Sequence, residues 1–307
     1  MRTKYLEVPD DEQRENARRE VNSTAESVKR DVQALAEWLE KQPHLPNFKD
    51  EHVLSHCLLN SKNSLEKTKR RLEMYFNTKA SLPEIFLNRS PFQKELETQK
   101  NIGMFVPLRK LTPDGYRVVM LYLSEEVKTA HHPSLDDFFK LNQMTIELMG
   151  KLDYPKGVIV IHDVANIAMP LVVSFSSHLQ KLILLTEKAI SVRYKKLYFC
   201  NMSQAGEILL SIGKSLIKKE LANRIEILKN LSDICQYLPK EIIPREYGGE
   251  ELPLVELRDL WFEEIKNNYE YLQSTEKYVT DLSKAPKDFA ATDLSGMVGS
   301  FRQISVD

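Results

Sequence analysis

The sequence predicts an α/β protein: a helical N-terminal module, then a mostly parallel sheet with helices packed on it, then a C-terminal helix. Three observations carry this. Up to Lys79 the apolar residues recur at helical spacing, with Val32, Leu35, Ala36 and Leu39 at i, i+3, i+4 and i+7. After a link from Leu82 to Pro91 the texture changes, and short β-branched or aromatic runs alternate with long helical ones. Gly157-Val158-Ile159-Val160-Ile161-His162-Asp163 is a continuous apolar run, as expected of a strand covered on both faces.

Taken in order, residues 1–20 are highly charged and read as frayed or loosely helical. The first apolar helix ends at Gln42-Pro43-His44-Leu45-Pro46, because neither proline donates a backbone hydrogen bond. A second helix starts near Glu51. A third starts near Ser64, with Leu65, Leu72 and Phe76 on one side, Asn63 as its cap and Glu66 completing the box. The basic run Lys67-Thr68-Lys69-Arg70-Arg71 reads as a solvated face, since no aromatic stacking platform accompanies it. A link from Leu82 to Pro91 follows. Pro113-Asp114-Gly115 is a turn into a strand at Tyr116–Tyr122. Ser134–Leu152 reads as a helix, Gly157–Asp163 as the second strand, Leu171–Ala189 as a helix and Leu197–Asn201 as a strand. Ala205–Leu221 is helical and Asn223–Leu228 is a fourth strand. A last helix runs from Pro253, with Leu254, Leu257, Trp261, Ile265, Tyr269 and Leu272 on one stripe.

The totals narrow the class of protein. A net charge of -1 argues against bulk electrostatic binding to nucleic acid. No run of about 18 apolar residues is present, so no transmembrane helix is expected. Met1–Arg19 is acid-rich and polar, unlike a secretory or transit peptide. Cys57, Cys200 and Cys235 are distant and odd in number, which fits reduced core residues in a cytoplasmic protein.

One string is more specific. Tyr237-Leu238-Pro239-Lys240-Glu241-Ile242-Ile243-Pro244-Arg245-Glu246-Tyr247-Gly248-Gly249 has the Leu-Pro, Ile-Pro-x-Glu-Tyr-Gly-Gly pattern. It resembles the closing signature of the CRAL-TRIO lipid-binding family. Trp38-Leu39 before Gln42–Pro46, Ser64–Lys69 before Tyr75-Phe76, Asp114-Gly115, Asp163 and Asn201 occur in family order. The tail Gly299–Asp307 is similar to that of arthropod tocopherol-transfer-like and retinaldehyde-binding members. One departure stands out: Cys57, Leu58 and Leu59 stand where the family has Phe-Leu-Arg, and Asn60 and Ser61 follow, so the arginines that the resemblance implies near that point are missing.

The resemblance implies a helical module over 1–85, a CRAL-TRIO lipid-binding domain over 93–252 and a C-terminal helix and tail over 253–307. It implies an intracellular carrier that moves a small hydrophobic ligand, a tocopherol, retinoid, carotenoid or similar isoprenoid, between membranes. Burying an apolar ligand is favourable by about 25 cal/mol per Å². The implied pocket wall is Tyr122, Phe139, Asn142, Ile146, Val158, Val160, His162, Leu182, Leu185 and Val192. For the aliphatic positions ordinary core packing is the competing reading. Asn142 and His162 need a hydrogen-bond partner if buried, either the ligand or the backbone. The implied gate helix carries Ile208, Leu209, Ile212 and Leu216 on one face and Leu210 on another. Gly206 and Gly213 lower its helical stability by roughly 1 kcal/mol each. Arg193, Lys195 and Arg224 match the family's basic phosphoinositide-holding positions, with Lys214 nearby. Glu220 replaces another such position, so altered contact with an anionic membrane surface is expected.

Enzyme readings find no motif: there is no Gly-x-Ser-x-Gly elbow, phosphate-binding glycine loop or His-Glu-x-x-His. Ser176-Ser177-His178 lacks a separate acid, and His131-His132 are adjacent where helix-borne metal pairs sit at i, i+4. No cofactor, metal or nucleic acid is expected, and the protein is read as a monomer peripheral to membranes. The alternatives are a lipid-sensing interaction module and a phosphoinositide or phospholipid transfer protein.

Overall fold

The computed structural model describes residues 5–128, 134–185 and 192–285. The His131-His132 pair and the tail beyond 285 lie outside the described residues. The chain opens with helices α1 (Asp11–Glu20), α2 (Ala25–Glu40), α3 (Glu51–Asn60) and α4 (Leu65–Ser81). Of the two expectations for this terminus, frayed or loosely helical, α1 takes the helical one and is firmly capped. Asp10 accepts from the Gln13 amide at 2.7 Å, and Gln13 accepts in return from the Asp10 amide at 3.1 Å. The segment before it is docked, with the Glu7 amide on the Arg109 carbonyl at 2.9 Å and the Tyr5 hydroxyl on the Pro107 carbonyl at 2.7 Å. Backbone pairing of this kind leaves no trace in charge content. Leu35, Leu39, Leu54, Leu58, Leu72 and Phe76 form the core of the module. α4 is capped by Ser64, one residue later than expected; Asn63 instead takes the left-handed turn at φ 55°.

Two short helices, α5 (Pro83–Phe86) and α6 (Lys94–Ile102), lead into β1 (Gly103–Leu111). The link from Leu82 to Pro91 therefore holds a helix, and the sheet has a strand that pattern reading missed. Pro107 disguises β1, and it is tolerated because β1 is an edge strand. Then come β2 (Tyr116–Leu123), α7 (Leu135–Leu152), β3 (Gly157–Asp163), α8 (Met169–Ser177), α9 (Leu179–Ile183) and β4 (Tyr194–Cys200). The sheet has five strands in the order β1-β2-β3-β4-β5, antiparallel only between β1 and β2; β5 is Ile225–Leu228. α10 (Gln204–Leu216) and α11 (Lys219–Ala222) lie between β4 and β5.

The two long helices expected over Leu171–Ala189 and Ala205–Leu221 are each broken. In the first, the hydroxyls of Ser176 and Ser177 bond back to the Val172 and Ser174 carbonyls, offering the backbone an alternative to the helical ladder. Residues 186–191 lie outside the described residues. In the second, Ile217 is extended at φ -97°, ψ 157°. The chain closes with α12 (Leu254–Asn267) and α13 (Tyr269–Thr275), parted at Asn268. α12 packs on β1 and β2 with Leu257, Trp261 and Ile265 wholly buried.

The Tyr-Gly-Gly signature makes the turn into α12. Gly248 has φ +86°, and a Cβ on Gly249 would fall 1.9 Å from the Ile243 carbonyl oxygen, so only glycine fits. Among the described residues no helix is long and apolar enough to cross a membrane.

Candidate functional site: an internal apolar cavity

A cavity of about 360 Å³ lies between the sheet and helices α7 to α10. Its floor follows from strand parity. Val119 pairs with Val160 and Val160 with Leu197; Leu121 pairs with His162 and His162 with Phe199. These residues form two cross-strand rows on one face of the sheet. Phe105 extends the second row onto β1, opposite Leu121. Phe139, Asn142 and Ile146 of α7 form one wall. Leu171, Phe175, Leu182 and Leu185 form another, and Leu209, Leu210 and Ile212 of α10 cover the floor.

Nine of the ten residues expected in the wall border this cavity: Phe139, Asn142, Ile146, Val158, Val160, His162, Leu182, Leu185 and Val192. Tyr122 does not, which is a correction. β2 presents Val119, Leu121 and Leu123 to the cavity, and Tyr122 points the opposite way, under the Arg258 guanidinium at 4.8 Å from its ring centre. With a side-chain period of two, one residue changes the face. Sequence reading also missed Phe105, Phe138, Phe175, Tyr194 and Phe199, which border the cavity. For Phe199 a signal existed, since alternation along Leu197-Tyr198-Phe199 places it beside His162 once the strands are paired.

The two polar wall residues differ in kind. The Asn142 carbonyl oxygen accepts from the Phe105 amide and its NH₂ donates to the Phe138 carbonyl, both at 2.7 Å. Asn142 therefore seals the free edge of β1. His162 stacks on Phe199 at 4.3 Å with an interplanar angle of 6°, and meets Phe105 edge-on at 5.7 Å. Burial pushes its pKa down to about 4, against the raising effect of the Tyr198 carbonyl, so the ring is neutral near pH 7. His56, which the sequence did not single out, and Asn60, noted there only as part of the departure from the family pattern, reach the cavity from α3. Asn60 Nδ2 and His56 Nε2 are 3.1 Å apart, and burial lowers His56 to about 4 as well.

The expected face of α10 is rotated. Leu209, Leu210 and Ile212 turn toward the cavity, whereas Ile208 is 38% exposed on the outside. Leu216 ends the helix, and its side chain lies outside the described residues. Ser203 caps the helix by accepting from the Gly206 amide at 3.1 Å. A Cβ on Gly206 would press Val164 at 3.3 Å, but one on Gly213 would meet nothing within 4 Å.

Of the basic residues, Arg193 pairs with Glu20 of α1, and Lys156 reaches the same carboxylate at 2.8 Å. Arg224 donates to the Tyr194 carbonyl. Lys195 lies over the Tyr116 ring at 5.3 Å, and Lys214 is exposed. The structure does not gather these four into one open cluster, because two of them already have internal partners.

Residues 24–96 match the model of the Pinta-like UBA domain, and residues 102–249 that of the CRAL/TRIO domain. Alpha-tocopherol transfer protein-like proteins of Mus musculus and Homo sapiens are each 24% identical over 238 residues, covering 76% of this chain and 68% of theirs. A tyrosine-protein phosphatase non-receptor type 9 of Mus musculus is 27% identical over 52% of this chain but only 26% of its own length. The solved structure of Sfh5 covers 96% of this chain and 100% of its own at 12% identity, with a TM-score of 0.48. Residues 102–249 thus form a CRAL/TRIO domain, which follows a Pinta-like UBA domain over residues 24–96.

Proposed function

We propose that this protein is a carrier that takes one neutral, largely apolar small molecule into the cavity and passes it between membranes. The observation that carries the reading is the cavity itself: about 360 Å³, bordered by aliphatic and aromatic side chains with few polar atoms. Such a space is at the lower end of the range of about 300–1,000 Å³ for small-molecule sites. It suits a single chain or fused-ring skeleton better than a diacyl phospholipid. The organisation into a module over 1–85, a ligand domain over 93–252 and a C-terminal helix with tail is part of this reading.

Release is assigned to α10. Met169, Val173 and Ile208 are exposed apolar residues on α8 and α10, and the two helices are in contact. They would enter the membrane interface as an amphipathic surface does. Lys195 and Lys214 would supply a general, salt-sensitive attraction to anionic lipid, at most about 1 kcal/mol each. Arg193 and Arg224 would have to leave their present partners to join them. Extraction of purified protein followed by mass spectrometry, and transfer between vesicles, test the reading. A stoichiometric apolar molecule and transfer slowed by Ile208→Asp are expected. Tightest binding to phosphatidylinositol, or no transfer of any apolar ligand, would overturn it.

A further inference from the structure

The parallel strands all start at one end of the sheet, and cations stand at their starts. Lys156 directly precedes β3, Arg193 precedes β4 and Arg224 precedes β5, while Lys195 is the second residue of β4. Tyr116, the first residue of β2, pairs with Gly157 and brings the row together: the Lys156 and Lys195 ammoniums lie over its ring at 5.2 and 5.3 Å. Partial burial, and then repulsion from Lys195 and Arg193, lowers the Lys156 pKa. Like charges gathered this way repel one another unless an anion joins them.

One carboxylate does. Glu20 is paired with Arg193 and lies 2.8 Å from Lys156. Among the described residues no other carboxylate pairs with any of the four cations. Arg224 donates to the Tyr194 carbonyl, which takes a hydrogen bond but leaves the charge uncancelled. Glu20 is the last residue of α1, where a carboxylate meets the negative end of the helix dipole, so its own helix does not favour it there. The segment before α1 is anchored elsewhere, through Tyr5 on Pro107, Glu7 on Arg109 and Arg117 on Glu7. The Glu20 side chain remains 32% exposed, and a cleft bordered by Asn16, Arg19 and Lys156 gives it room to move.

Resting on the reading that the protein meets an anionic membrane, we propose that Glu20 is an autoinhibitory clasp, which occupies the cation row until the headgroup phosphates of an anionic membrane replace its carboxylate. Arg193 also borders the cavity, so the exchange of its counter-ion takes place at one end of the ligand space.

Cosedimentation of the full chain with phosphatidylcholine vesicles, with and without phosphatidylserine, tests the clasp. Each cation released should raise affinity for an anionic surface about fivefold. Glu20→Gln should thus bind the phosphatidylserine vesicles about fivefold or more tightly than wild type, and the neutral vesicles no better. Glu12→Gln makes the same change of charge about two turns earlier on α1 and should gain far less. Adding Lys156→Gln and Arg193→Gln to Glu20→Gln should abolish the gain. Inorganic phosphate at matched ionic strength should leave it intact. The proposal is overturned by Glu20→Gln binding as wild type does, by a gain that Glu12→Gln matches, or by a gain that survives without Lys156 and Arg193. A gain erased by inorganic phosphate overturns it too, since the row would then take a free anion and not a membrane. Should a variant fail to fold, amide exchange in wild type decides: the last turn of α1 should exchange faster on phosphatidylserine vesicles than on neutral ones, and equal exchange sinks the clasp. None of these measurements needs a bound ligand, so the carrier reading survives failure of the clasp. If neither wild type nor any variant binds anionic vesicles, the membrane reading falls and the proposal with it.

Discussion

The two sides of the cavity are held by different physics. The sheet and α7 are tied down by buried, paired charges. Arg117, with no exposed surface, grips Asp153 at 2.7 and 3.1 Å and donates to the carbonyls of Glu7, Leu108 and Arg109. Glu147 of α7 accepts from Arg89 at 2.8 Å and from Tyr75 at 2.7 Å, while Lys79 donates to the Thr275 carbonyl at 2.7 Å. Burial alone would raise the Glu147 pKa; Arg89 and Lys79 outweigh it and hold it at about 2. One network thus joins α4, α7 and α13. Across the cavity, α10 rests on Ser203, whose hydroxyl donates to the Ile167 carbonyl at 3.1 Å, and on half-buried aliphatics. Among the described residues no ion pair ties α10 to the sheet or to α7. The contrast teaches that a ligand cavity needs one wall that keeps its shape and one that opens at low cost, and that local opening follows the weaker contacts.

The strongest way to test this contrast is to cut the network. Glu147→Ala leaves Arg89 and Lys79 buried without their counter-charge and should cost about 3–5 kcal/mol. Leu209→Ala, on the partly buried face of α10, should cost under about 2 kcal/mol. Urea denaturation measures both, and equal losses would erase the distinction between the two sides.

Acid probes the fixed side. His56 and His162 have pKa values lowered to about 4 by burial, against an ordinary 6.5. The unfolded chain takes up these protons first as pH falls. Stability from each group is therefore complete above pH 6.5 and is lost progressively as pH drops from 6.5 toward 4. At its end the loss reaches roughly 3 kcal/mol per group. In His162→Phe the stability difference between pH 7 and pH 5 should shrink; a difference equal to that of wild type would mean the ring is not held neutral.

The smallest effect sharpens the comparison on the covering side. Gly213→Ala meets open space and should stabilise α10 by up to about 1 kcal/mol, slowing amide exchange there and ligand exchange severalfold. Gly206→Ala meets Val164 and should not share that gain. Amide exchange of α10 unaltered by Gly213→Ala would show that the helix does not open locally.

Much of the fold was legible because its signals are local. The run Gly157–Asp163, the periodicity of α2, α7 and α12, and the prolines after α2 each follow from a few consecutive residues. The wall positions on α7 and β3 came from family resemblance, and alternation added only that Val158, Val160 and His162 share one face. What stayed hidden depends on residues far apart in the chain. β1 was masked by Pro107, which is acceptable only at an edge, and an edge exists only once the sheet is assembled. Tyr122 was carried over from the family resemblance, where an offset of one residue changes the face; pairing with β3 and packing on α12 set the phase. Glu20 and Arg193, 173 residues apart, become partners only when α1 docks. Asn142 and His162 looked alike as buried polar residues, yet backbone groups use up one amide and leave one imidazole nitrogen open to the cavity. The chain by itself determined which residues are apolar, where α2, α7 and α12 run and which family pattern it carries. Tertiary structure decided which polar atoms remain available, because hydrogen-bond satisfaction belongs to a packed pair and not to a residue.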